Sequence, residues 1–213
     1  MLSAELNITK TRLIETLKRE LPGERAHRLM LPKGRELYPT ADNSKIIQSS
    51  VLMLLFPFNE KIHTCLIRRP ASMRNHGGQI AFPGGRKEFL DKDLIETALR
   101  ESFEEIGIDC NHLEVIGALT PLYVNVSNFT INPFIGWCEI EPKFKIDSRE
   151  VDEIFIVPIE KFLHHKANQL KEVTTINGNF EVPGFYIDHL FVWGATAMII
   201  SEFIEVFKEL NDN

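Results

Sequence analysis

Apolar positions along the chain recur in two rhythms. Helical spacing marks Leu6 to Leu21 (Leu6, Ile8, Leu13, Ile14, Leu17, Leu21), and Pro22-Gly23 stops it. From Glu24 to Ser44 the rhythm lapses into a stretch rich in Pro, Arg and polar residues, read as a loop. The runs SSVLMLLFPF and KIHTCLIRR follow, joined at Asn59-Glu60, and predict a hairpin. After the irregular Met73–Gly78 segment, a short strand QIAF leads into a Pro83-Gly84-Gly85 turn. Asp93–Ile106 is the clearest helix. Asp93 can cap it with Glu96 as reciprocal partner, and Gly107 suits a left-handed terminus. Strands are expected at 113–124, 129–140 and 153–157, and a short helix in EKFLHHK. A hairpin over 171–190 turns at Asn177-Gly178, and Ala195–Leu210 closes the chain as an amphipathic helix. Hairpins with interspersed helices argue an α+β fold over a parallel βαβ array.

Composition narrows the function classes. The 213 residues are 44% hydrophobic and 25% charged, as in an ordinary globular protein. A net charge of −6 lacks the basic footprint of a duplex binder, so no nucleic-acid partner is expected. Cys65, Cys110 and Cys138 have no metal-ligand or disulfide spacing, which fits a reducing cytoplasm. No run approaches the roughly 20 apolar residues of a membrane span. The seven histidines are scattered without ligand spacing.

The chemistry gathers on the clearest helix. At 100° per residue, Leu94, Ile95, Ala98, Leu99, Phe103 and Ile106 cover one half of its circumference, with Ser102 among them. Glu101 and Glu105 are nearly eclipsed at the edge of that arc, and Glu104 lies on the same polar side. Three carboxylates therefore crowd the helix end where the dipole disfavours them, by about 0.3–1 kcal/mol each when exposed. A divalent cation on the strip would remove that penalty, and oxygen ligands alone favour Mg²⁺ or Mn²⁺ over zinc. By itself such a strip is more often a solvated acidic face. Likewise, Phe82-Pro83-Gly84-Gly85 alone is only a turn, although paired glycines let backbone amides approach a ligand.

Together the two stretches carry a resemblance. GRKEFLDKDLIETALRESFEEIGI, residues 85 to 108, resembles the Nudix box, with Arg100, Glu101, Glu104, Glu105, Gly107 and Ile108 on its pattern. The interval from glycine to arginine is one residue longer than the box prescribes. Strict spacing puts Lys92 at the single upstream acid, leaving Glu88 or Asp91 nearest that role, and Ser102 replaces an apolar residue. The expansion is similar to the coenzyme A diphosphatase branch. That branch's upstream motif resembles CLIRRPASMRNHGGQIAFPGG, placing Arg69, Arg74, Gly78 and Phe82–Gly85 in register, with departures at Cys65, Ile67 and Pro70. VDEIFIVPIEKFL and VWGATAMIISEFIEVF also look like that branch.

The resemblance implies a Nudix fold, a mixed β-sheet between α-helices with the box as loop–helix–loop. Residues 1–45 are expected to form an N-terminal helix and loop packed on a hydrolase domain over 46–213. The resemblance also implies a metal site at Glu101, Glu104 and Glu105, Arg100 holding a carboxylate in place, and substrate contacts from Gly84, Gly85, Arg69 and Arg74. The expected reaction is Mg²⁺- or Mn²⁺-dependent hydrolysis of coenzyme A or acyl-CoA to 3′,5′-ADP and (acyl-)4′-phosphopantetheine. Another nucleotide substrate, or a ligand sensor without turnover, remains open, and a homodimer is expected.

Overall fold

A computed structural model of the chain describes residues 2–39, 46–73, 76–163, 169–175 and 178–210. The predicted hairpin forms from β1 (Ile47–Phe58) and β2 (Lys61–Arg68), paired antiparallel. Asn59 and Glu60 both have positive φ, 44° and 63°, the turn geometry that matches strand twist. β1 also pairs in parallel with β7 (Phe129–Cys138), which gives the sheet its mixed character. Outside this pair lie β3 (Ile80–Ala81) and β8 (Glu153–Pro158) against β2, and β5 (Leu113–Ala118) and β6 (Leu122–Val124) against β7. β4 (Gly84–Arg86) pairs with β1. A second sheet has the order β11 (Leu190–Trp193), β10 (Gly178–Ile187), β9 (Gln169–Thr175).

Alternation along β1 divides the core, since successive side chains face opposite sides. Leu52, Leu54 and Phe56 join Cys65 and Ile67 of β2 under α3 (Leu94–Ile106), where Ala98 and Ile106 are buried. Met53 and Leu55 face the other way, into a larger cluster with Trp137 and with Ile200, Phe203 and Val206 of α5 (Gly194–Lys208). Leu13 and Leu17 of α1 (Leu2–Leu17) and Met30 bury in that cluster too. The expected mixed sheet between helices is present. Among the described residues no helix is long and apolar enough to cross a membrane.

Four local expectations change. The first helix ends at Leu17, short of Leu21. The stretch read as a loop contains α2 (Glu24–Arg28), whose start is tied down when the Gly23 N–H donates to the buried Glu202 carboxylate of α5 at 3.1 Å. The strand expected over 113–124 divides into β5 and β6. Lastly, Pro83-Gly84-Gly85 is no free turn, because Gly84–Arg86 pairs with Ser49–Val51. A Cβ on Gly84 would lie 2.2 Å from the Ser50 carbonyl oxygen, and its φ is 151°. Only glycine permits that approach. The short helix expected in EKFLHHK is α4, Glu160–Leu163; His164, His165, Lys166 and the Asn177 tip of the β9–β10 hairpin lie outside the described residues.

Candidate active site

α3 starts as its sequence demands. The Asp93 carboxylate accepts from Glu96 N at 2.8 Å, and the Glu96 carboxylate reaches back to Lys92 N at 2.6 Å, one residue before the expected partner. It ends at Gly107, left-handed at φ 68°, whose N–H returns to Phe103 O. Two further terminal carbonyls are taken by the loop between β7 and β8: Lys145 N donates to Ile106 O at 2.8 Å and Asp147 N to Glu105 O at 3.0 Å. That clasp, continued by Glu150 N and Val151 N on Asp147 O, brings Glu150 to the end of α3.

The packed face is rotated relative to the apolar arc. Thr97, Ala98, Ser102, Glu105 and Ile106 are buried, whereas Ile95 is exposed and Phe103 is 60% exposed. Helix α3 thus turns its carboxylate edge toward the sheet. Ser102 sits against the core with its hydroxyl donated to Ala98 O at 2.7 Å.

Glu105 is the consequence, a carboxylate only 2% exposed. Its Oε2 accepts from Gly84 N at 2.9 Å, and Arg69 approaches Oε1 at 3.6 Å. Burial pushes its pKa up to about 8, against the pull of the Gly84 N–H and Arg69. Glu101, half-buried, is also pushed up, first by burial. One carboxylate oxygen each of Glu101, Glu105 and Glu150 lies within 4.8 Å of the others. Buried like charges at such range are unstable without a counter-charge. Three oxygen donors around one point fit a divalent cation of the hard class.

Arg100 organises the rim. It grips Asp91 with two parallel bonds, Nε to Oδ1 at 2.9 Å and Nη2 to Oδ2 at 3.0 Å. Its Nη1 donates to Glu101 Oε1 and to Glu104 Oε2, both at 2.9 Å, and Nη2 to Arg86 O at 3.1 Å. Asp91 is itself buried, accepts from Glu88 N at 2.8 Å and Thr97 Oγ1 at 2.9 Å, and is held well below the usual carboxylate range chiefly by Arg100. Of the two acids left open by spacing, Asp91 is the one bound to Arg100, and Glu88 contributes its N–H.

The sequence-predicted residues therefore divide. Glu101, Glu105, Arg100, Gly84, Gly85 and Arg69 converge. Glu104 joins them through Arg100, half-exposed and outside the close triplet. Gly85 is where β4 meets Glu101, since a Cβ there would lie 2.4 Å from Oε2. Arg74 lies outside the described residues. Glu150 was missed: it precedes a strand, in no spacing relation to α3, and only the loop clasp brings it in.

The chain is also similar to known proteins. The NUDIX domain family matches residues 47–175. The uncharacterized Nudix hydrolase NudL of Pectobacterium atrosepticum is 36% identical over 137 residues, covering 64% of this chain and 71% of the relative. That of Enterobacter sp. is 34% identical over 155 residues, covering 73% and 80%. A MutT/nudix family protein from Enterococcus faecalis has a TM-score of 0.49 at 14% identity, covering 81% of this chain and 66% of that one.

Proposed function

Since the chain belongs to the Nudix hydrolase family, we propose that it splits the diphosphate of coenzyme A or an acyl-CoA into 3′,5′-ADP and (acyl-)4′-phosphopantetheine. At the coarser level it is a pyrophosphohydrolase acting on a nucleoside diphosphate derivative. The observation that carries the reading is the triplet of Glu101, Glu105 and Glu150 oxygens within 4.8 Å, two of them on the buried side of α3.

Glu101, Glu105 and Glu150 would hold Mg²⁺ or Mn²⁺, with Glu104 at the margin of the set. When bound, the cation supplies positive charge that neutralises the diphosphate and acidifies a water. A carboxylate of the cluster would accept the proton of the water that attacks phosphorus. Arg100, anchored on Asp91, keeps Glu101 and Glu104 turned to the site. Gly84 N–H orients Glu105, and Gly85 leaves room for the Glu101 carboxylate. Arg69, 3.6 Å from Glu105, brings a second guanidinium to the cluster beside Arg100 and suits bidentate contact with phosphate. Positioning and charge neutralisation supply most of the rate.

The substrate is supported by the expanded box and the Arg69–Gly85 segment. Coenzyme A carries a 3′-phosphate, to which a specific site offers a cation. A charge-assisted contact of that kind contributes about 1.5–3 kcal/mol. The test is product analysis on CoA, acetyl-CoA, dephospho-CoA, NADH, ADP-ribose and nucleoside triphosphates, each with Mg²⁺ and Mn²⁺. The expected result is 3′,5′-ADP from CoA, with kcat/KM for dephospho-CoA lower by about tenfold or more. Equal values would defeat the 3′-phosphate argument. Brisk turnover of another substrate with none of CoA would reassign the specificity, and no turnover at all would favour a sensor.

A further inference from the structure

Beneath the carboxylates lies a hydroxyl that nothing in the fold accounts for. Ser50, on β1, is fully buried, and among the described residues its Oγ has no hydrogen-bond partner. Buried polar groups are almost always paired, so an orphan calls for a partner that joins it in another state of the molecule.

Register locates it. Ser50 is directly opposite Gly85 in the antiparallel β1–β4 pair. Directly opposed residues project to the same face. From Gly85 that face looks onto the Glu101 carboxylate, whose Oε2 would be 2.4 Å from a Cβ. Alternation gives the same answer independently. Ser50 shares its parity with Leu52, Leu54 and Phe56, which pack beneath α3, whereas Val51 and Met53 face the opposite cluster. Gly84, opposite Val51, points its absent side chain at Val51 and away from α3.

The acceptor side is equally specific. Glu101 Oε1 is taken by Arg100 and Glu105 Oε2 by Gly84 N. Glu101 Oε2 accepts no hydrogen bond among the described residues. The whole carboxylate faces Gly85, with Oε2 at 2.4 Å and Oε1 at 2.6 Å from the Cβ position, and Oε1 already accepts from Arg100.

We infer that Ser50 is a positioning residue for the cation site, its hydroxyl donating to Glu101 Oε2 and so setting which oxygens of Glu101 and Glu105 a divalent cation meets. Arg100 fixes Glu101 from the solvent side, and Ser50 fixes it from the sheet. With both, the carboxylate has one orientation. Groups that orient ligands in this way change metal affinity by about 10–100-fold. The inference rests on the cation reading of the previous subsection and extends it to a strand that carries no part of the Nudix box.

The test is Mn²⁺ binding by calorimetry and by electron paramagnetic resonance of free Mn²⁺, paired with melting of the cation-free protein. Ser50→Ala is expected to weaken Mn²⁺ binding by about tenfold or more, and Ser50→Thr, which keeps the hydroxyl, to restore most of it. If Ser50 were only a buried orphan, Ser50→Ala would raise the cation-free Tm and leave Mn²⁺ affinity at the wild-type value. That outcome overturns the inference while leaving the cation site standing. Absence of Mn²⁺ binding by the wild-type protein would overturn both, so the two failures are distinct. Should Ser50→Ala not fold, Ser50→Cys, close in volume and a weaker donor, is measured against the same expectation.

Discussion

Glu105 shows at a single residue why this helix tolerates carboxylates at its wrong end. Its charge is disfavoured chiefly by burial and further by Glu101 and Glu150, and a cation would offset both effects. Glu105→Gln is expected to lower kcat by at least about 10²-fold, in line with other losses of charge-stabilising groups. The fold should survive, because the amide removes repulsion. Steady-state kinetics at limiting Mg²⁺ with circular dichroism would check both, and a wild-type rate would remove Glu105 from the site. Arg100→Ala acts indirectly, through Glu101 and Glu104. Its expected effect is about 10–100-fold on kcat with Mn²⁺ binding retained. A calorimetric titration showing no Mn²⁺ binding would give the arginine a larger structural role. Glu150→Gln should weaken Mn²⁺ binding without unfolding the protein, since Glu150 is half-exposed and its loop is held by backbone bonds. Unchanged affinity would confine the ligand set to α3. Glu101, Glu105 and Arg100 were legible because they share one helix. Glu150 was not, because no local spacing encodes a contact made by a returning loop.

At the scale of elements, the site is a junction of α3 with the short strand β4. The two glycines of β4 act differently. At Gly84 a Cβ would strike backbone, the Ser50 carbonyl at 2.2 Å, at a φ of 151° that side chains avoid. Gly84→Ala should destabilise the whole domain, with overpacking alone worth about 1–3 kcal/mol, read as a fall in Tm. At Gly85 the clash is with a side chain, the Glu101 carboxylate. Gly85→Ala should therefore displace Glu101 and reduce activity with a smaller change in Tm. The reverse ranking of the two melting temperatures would contradict this division. In the fold Gly84 lets β4 lie close against β1, and Gly85 lets β4 meet α3 at Glu101. The rotation of α3 belongs here as well. Periodicity placed Phe103 in the packed arc, but Ser102 and Thr97 are small enough to let the helix lean on its carboxylate edge, leaving Phe103 outside.

Across the whole molecule, burial of acids links stability to pH and to cations. In the cation-free protein, the folded-state pKa of Glu105 lies above its ordinary value, so the folded chain holds its proton more tightly than the unfolded one. The resulting stability is fully present below the ordinary carboxylate pKa and is lost as pH rises toward about 8. In EDTA, Tm should fall over that window, saturating Mg²⁺ should restore it at the upper end, and Glu105→Gln should flatten the profile. A wild-type profile flat from pH 5 to 8 would refute this. Another buried acid, Glu202, serves the fold instead. It accepts from Gly23 N, Thr120 N and Thr120 Oγ1 and pairs with His27 Nε2 at 3.0 Å, joining α5 to α2 and to the end of β5. The sequence by itself determined the elements whose signals are local: the capped α3 with its glutamates, the Asn59-Glu60 hairpin, and the alternation of β1 that divides the core. Tertiary structure alone decided the partners: Asp91 rather than Glu88 for Arg100, Glu150 beside Glu105, β4 against β1, and α2 against Glu202. Local periodicity is written into neighbouring residues. Contacts between distant segments depend on which close packing excludes water, and that is settled only when the whole chain folds.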